Sequence, residues 1–359
     1  MRARPTSPSQ PARLAALAVA AGLGLAACGG SSSGGTPASS QPSSLAGQTI
    51  TLYNAQHEQT TNALITAFTK QTGIKVRVKD DDEDVLTAQI QEEGSHSPAD
   101  VFYTENSNWL QQLDDHHLLA PVDAKSLAAV PLADSATDGD WVGVSARISA
   151  IVYNPSKISA SQVPTSVMQL ADPKYKGKIE LAPAETDFWP IVSSVARAKG
   201  DAAAETWLRG IKANAGSDAN VPDNETVTSD VDKGTADMGL INHYYFYRAQ
   251  AEVGASNFHA KLAFFAPGDP GYVEDISGAG ILASSSHQAA AQTFLGFLTS
   301  KTGQEILAHS DSFEYPIHPG VAASPELTPL KQLSPNDFTP AELGTGLNAK
   351  GLMQQVGLL

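Results

Sequence analysis

The sequence predicts an α/β protein of two lobes, each a mixed, mainly parallel sheet flanked by helices. Three observations carry this. The chain has 359 residues, room for two domains at roughly 100–200 residues each. Strand and helix patterns alternate at the tempo of βαβ units. Two extended stretches, Trp141–Tyr153 and residues 275–284, suit segments that cross from one lobe to the other and back.

The elements follow in order. Thr49–Ala55 (TITLYNA) is a buried strand of β-branched and aromatic residues. Residues 58–71 place Leu64, Ala67, Phe68 and Gln71 at helical spacing, with Gly73 to close the helix. Residues 74–78 (IKVRV) alternate as a strand, and the acidic run 80–84 (DDDED) reads as a solvated helix start favoured by the helix dipole. That run lacks the spacing and glycine of a calcium loop. Residues 99–104 (ADVFYT) form another buried strand. After Trp141–Tyr153 a second series follows: strand 178–182, helices 188–199, 202–213 and 227–233, and strand 236–242. The crossing at 275–284 then leads into an amphipathic helix at 287–298. The first lobe is expected to comprise residues 49–144 and 272–312, the second 145–271 and 313–359.

The N-terminus reads differently. Arg2, Arg4 and Arg13 precede a run from Leu14 to Ala27 that ends in small residues, the pattern of a secretory signal. Fourteen residues are too few for a transmembrane helix, which needs about 20. Cys28 is the only cysteine, so no internal disulfide is possible. Leu25-Ala-Ala-Cys28 resembles the bacterial lipobox, which implies lipidation of Cys28, anchoring on the outer face of the cell membrane, and loss of residues 1–27. Residues 28–48, rich in Gly, Ser and Pro, read as a disordered tether. Of 23 basic residues the leader holds three and no acid, so the mature chain has 20 basic and 38 acidic residues, net −18. That balance disfavours nucleic acid and anionic surfaces and is compatible with a cation.

Ligands of open α/β sheets sit at the carboxyl ends of strands. Three polar groups fall at such ends: His57, Glu105, and the pair Tyr244 and Tyr245. Two phenols, a carboxylate and an imidazole suit a hard, highly charged ion. Zinc favours Cys and His, and calcium takes carboxylates and carbonyls. Ferric iron can deprotonate phenols whose ordinary pKa is about 10, and three anionic ligands balance its charge. For the tyrosines, simple packing is the competing reading.

Tyr53-Asn-Ala-Gln-His57-Glu, Ser97-Pro-Ala-Asp-Val-Phe-Tyr-Thr-Glu105-Asn106 and Leu240-Ile-Asn-His-Tyr244-Tyr245 resemble the three ligand-bearing motifs of bacterial ferric-ion-binding proteins. The resemblance extends to Ser277-Gly-Ala-Gly and Glu314-Tyr-Pro. It implies the type II periplasmic-binding fold and a monomer that passes Fe³⁺ to an ABC transporter permease. It also implies His57, Glu105, Tyr244 and Tyr245 as iron ligands. In one branch of that family a synergistic phosphate completes the iron shell. Asn106, Asn224 and Asn242 stand at positions that hold the anion there. The helix start that would cradle it reads Glu185-Thr186-Asp187, and two carboxylates repel an anion. Either Glu185 or Asp187 supplies the missing oxygen, or a water or small anion does, or both acids merely cap the helix.

Other candidates carry less. Arg147 lies in the first crossing and can pair with a cleft acid. Asp114-Asp-His-His117 reads as a surface patch, because adjacent histidines face different sides of a helix. Tyr247 reads as packing. A different ligand for the same fold, such as a ferric chelate, another anion or a polyamine, is the main alternative. The sequence contains no zinc-protease, nucleophile-elbow or Walker motif, so a carrier is expected and not an enzyme.

Overall fold

A computed structural model describes residues 45–359; the signal, Cys28 and the tether to residue 44 lie outside them. The fold starts slightly earlier than expected. Residues 45–48 are not tether: the Gly47 amide donates to the Gly73 carbonyl, and Leu45 packs on the core.

In chain order the elements are β1 (Thr49–Ala55), α1 (Glu58–Thr72), β2 (Lys75–Asp80), α2 (Glu83–Glu93), β3 (Val101–Thr104), α3 (Ser107–Asp115) and β4 (Leu119–Ala120). Then come α4 (Ala124–Leu127), β5 (Trp141–Tyr153), β6 (Ile179–Glu180), α5 (Phe188–Lys199), α6 (Asp201–Ala215), α7 (Asn224–Lys233) and β7 (Met238–Asn242). The chain ends with α8 (His243–Val253), β8 (Lys261–Ala263), β9 (Glu274–Leu282), α9 (Gln288–Leu298), α10 (Lys301–Ala308), β10 (Tyr315–Pro316), α11 (Pro340–Leu343) and α12 (Leu347–Val356).

The sheet is mixed, with strand order β2-β1-β3-β9-β5-β7-β6. Pairing is parallel for β1 with β2 and β3, and for β6 with β7. The crossing strands β5 and β9 are antiparallel to their neighbours. β5 does what its length foretells. Its first part, from Trp141 to Ile148, pairs with β9, and from Ser149 to Tyr153 it pairs with β7 and β8. All 13 of its residues are buried, which is why it reads as one unbroken apolar run.

Apolar clusters pack on the sheet to either side of these crossings. Phe68 of α1 meets Phe294 and Phe297 of α9 at ring-centroid distances of 4.9 and 5.6 Å. Phe188 of α5 stacks on Trp207 of α6 at 6.2 Å. Trp109 and Trp189, at 5.3 Å, bring α3 against the start of α5. Among the described residues no helix is long and apolar enough to cross a membrane.

The short β6 is narrower than the 178–182 expected, because only Ile179 and Glu180 find a ladder partner. The acidic run departs further. Glu83 is buried at 7% exposure, while Asp81 and Asp82 remain exposed. It shares a helix face with Leu86 and Ile90, so it turns inward with them.

Candidate metal centre in the interlobe cleft

Each candidate ligand follows a strand of the sheet. His57 precedes α1 just beyond β1, and Glu105 lies between β3 and α3. Tyr244 and Tyr245 form the first turn of α8, which begins immediately after β7. His243 pins that turn: its Nδ1 accepts from the Ile148 amide at 3.1 Å, and its ring stacks on Tyr315 at 4.7 Å. Burial drives the His243 pKa down to about 3, so it serves as a neutral acceptor. Tyr247 packs against Phe246 and Phe313, as read from the sequence.

The four side chains converge. His57 Nδ1 is 3.2 Å from Glu105 Oε1, and the His57 ring meets the Tyr244 ring edge-on at 5.1 Å. The Tyr244 hydroxyl oxygen lies 3.2 Å from Glu105 Oε2. Both phenols donate to one oxygen, Asp187 Oδ2, at 2.9 Å from Tyr244 and 2.8 Å from Tyr245. Of the two acids at the α5 start, Asp187 is therefore the one inside the constellation. Glu185 lines the cleft, its pKa pushed up to about 8 by burial and by Asp187, Glu225, Asp223 and Glu105.

Arg147 stands at the centre, fully buried. Nη1 donates to Glu105 at 2.8 Å and to Asp187 at 2.9 Å, and Nη2 donates to Glu314 at 2.6 Å. Its guanidinium also lies 5.2 Å from the Tyr244 ring centroid. Burial alone would raise the Asp187 pKa, but Arg147 and the donors Tyr245, Tyr244 and Asn106 hold it below the ordinary carboxylate value. Both phenols are pushed well above theirs, first by burial and then by Asp187 and Glu105. Without a metal they keep their protons.

The expected anion positions are differently used. The Asn106 amide nitrogen reaches Glu83, Thr186 and Asp187 at 2.8, 3.3 and 3.2 Å. Thr186 gives its hydroxyl to Glu83. Asn242 ends β7 with a buried, unpartnered Nδ2, and Asn224 opens α7, buried. Three residues of the network lay in segments read from the sequence but were given no role there. Glu314 bonds Arg147, Ser145 and Gln56 and lies 3.7 Å from His57 Nε2. Gln56 accepts from the His57 amide at 2.7 Å. Glu83 binds the segment around Glu105. The Asp114 patch is also only partly on the surface: Asp114 is buried and faces Asp138 and Asp140, while His116 and His117 are exposed.

The site opens into a cleft of about 740 Å³ whose walls include Asp81, Asp82, Asp84, Glu225 and Arg248. A family described as bacterial extracellular solute-binding protein matches residues 96–337. The chain belongs to that family. Within it, the chain is 41% identical over 314 residues to the Fe(3+)-binding periplasmic protein of Serratia marcescens, covering 88% of this chain and 92% of that one. It is 37% identical to the major ferric iron-binding protein of Neisseria meningitidis serogroup B, covering 86% of this chain and 93% of that one. Iron-bound HitA from Pseudomonas aeruginosa superposes with a TM-score of 0.81 at 40% identity, over 86% of this chain and 99% of HitA. This solute-binding protein thus has the two-lobed type II periplasmic-binding fold that the sequence resemblance implied.

Proposed function

We propose that this protein captures ferric iron as cargo in the cleft and delivers it to an ABC transporter permease. His57, Glu105, Tyr244 and Tyr245 bind the ion, and Asp187 supplies the oxygen that an exogenous anion supplies in the phosphate-using branch. The observation that carries this reading is the convergence of Tyr244 and Tyr245 on a single Asp187 oxygen at 2.9 and 2.8 Å. Oxygens on adjacent corners of an octahedron with bonds of about 2.0–2.1 Å lie about 2.9 Å apart, so these spacings suit a small hard cation that replaces the two phenol protons. The ferric names of the relatives support the same ion.

His57 and Glu105 belong to one lobe, residues 49–144 with 272–312. Asp187 and the tyrosines belong to the other, residues 145–271 with 313–359. Closure about the crossings near Val144 to Ile148 and Val273 to Gly278 unites the ligands, so binding favours the closed state. The permease reads that closed surface. Lipid on Cys28 holds the carrier at the outer face of the membrane, with Cys28→Ala expected to release it into the soluble fraction.

Titration with ferric citrate tests the site. A tyrosinate-to-iron visible band should appear at one ion per chain, and Tyr244→Phe and Tyr245→Phe should each weaken binding by at least tenfold. Equal affinity in both variants would remove the tyrosines from the site. An unchanged affinity in Asp187→Asn would return the sixth position to a water or anion.

A further inference from the structure

We propose that Glu83 and Thr186 form a clasp that closes the cleft and brings Asp187 against Glu105. It rests on the ferric reading above. The clasp binds no ion itself, and neither residue is a ligand in that reading.

Glu83 is buried at 7% exposure and accepts five hydrogen bonds. Four come from its own side of the cleft: Thr104 Oγ1 at 2.5 Å, the Asn106 amide at 2.7 Å, Asn106 Nδ2 at 2.8 Å and Trp109 Nε1 at 3.0 Å. These donors flank Glu105, so Glu83 fixes the loop that carries that ligand. The fifth donor crosses the cleft: Thr186 Oγ1 lies 2.5 Å from Oε2. Thr186 directly precedes Asp187, the residue both tyrosines contact. A single carboxylate therefore joins the Glu105 loop to the Asp187 turn. Asn106 reinforces the bridge with its 3.2 Å contact to Asp187.

The geometry separates folding from closing. With the cleft open, Glu83 keeps its four local donors and water replaces Thr186. With the cleft closed, water is excluded and Thr186 takes its place as the third donor to Oε2, beside Asn106 Nδ2 and Trp109 Nε1, so that losing it forfeits one bond across the cleft. Thr186 is thus a positioning residue for closure. It is only partly buried, so exchanging its hydroxyl for a methyl leaves the fold intact.

The test uses the full-length chain loaded from ferric citrate, with iron release to EDTA followed by loss of the visible band. Thr186→Val should release iron on the order of tenfold to a hundredfold faster, the range expected for one hydrogen bond to a charged group. The band maximum should not move, because the ligands are unchanged. Thr186→Ser restores the hydroxyl and should restore slow release. Equal rates for parent and Thr186→Val, or a serine variant as fast as valine, would overturn the clasp. A parent chain with no band would instead overturn the ferric reading. Small-angle scattering then decides the clasp alone: a larger average radius for Thr186→Val supports it, and superimposable curves sink it.

Discussion

At the scale of residues, the iron-free site is built around one cation. Arg147 holds three carboxylates, Glu105, Asp187 and Glu314, with two guanidinium nitrogens. Removing the positive member of such a buried group leaves uncompensated charge, at a cost of about 3–5 kcal/mol. Arg147→Met should therefore lower iron-free stability by about that much in urea at pH 7.5, and by clearly less at pH 4, where carboxylates take up protons. Arg147→Lys should rescue little, because a point charge cannot span the Glu314 and Asp187 directions as a planar fork does. The sequence exposed Arg147 as a cation in a crossing segment, and the four proposed ligands through their places after strands. Glu314 stood within the resemblance, in Glu314-Tyr-Pro, but its role was not legible. Its partner Arg147 lies 167 positions earlier, and no local pattern connects them. Glu83 had a faint signal, since it falls in helical register with Leu86 and Ile90, but Asp82 shares that register and stays exposed at the N-cap.

At the scale of elements, periodicity worked where burial is one-sided or complete. Trp141–Tyr153 and Phe188–Lys199 begin and end where the pattern placed them. It was less informative where strand passes directly into helix. Asn242 ends β7 and His243 opens α8 with no loop between, so the tyrosines belong to a helical turn that an aromatic-rich run does not announce. The position of that turn depends on how closely β7 approaches α7. At Gly239 an added Cβ would sit 2.1 Å from Val227 Cγ1, inside any tolerable contact. Overpacking of this kind costs about 1–3 kcal/mol. Gly239→Ala should lose that much stability and also weaken ferric binding, because displaced β7 carries Tyr244 and Tyr245 with it. Adding Val227→Ala should recover both in part, measured by urea melts and by the visible titration. Loss of stability with undisturbed binding would mean that the tyrosine turn is held independently of β7.

At the scale of the whole molecule, the iron-free and iron-loaded forms should respond to pH in opposite directions. The iron-free protein buries more carboxyl groups than it pairs. Burial raises Glu274 to about 7, with Asp134 adding to the shift, and raises Glu180 to about 7, aided by Asp230 and Asp218. Asp134 rises to about 6 for the same reason. Between the ordinary carboxylate pKa near 4 and these folded values, the native state binds more protons than the unfolded chain. Its stability is therefore highest at the acid end and falls as pH rises from about 5 to about 7.5. Asp187, held low, contributes in the opposite sense only below the ordinary carboxylate range. His243, kept neutral by burial with its pKa down to about 3, opposes the trend up to about 6.5. The fall is thus carried by the more numerous raised carboxyls and is clearest above that value. Ferric binding runs the other way. Two phenols that start fully protonated must each lose a proton, so affinity grows with pH. Calorimetry from pH 5 to 7.5 should show the melting temperature of the iron-free chain falling while the gap to the loaded chain widens. Glu274→Gln should flatten the first trend by removing one titrating group and leave the second in place. A gap that stays constant across this range would mean that the ion displaces no phenol protons, and the two tyrosines would then be packing residues after all.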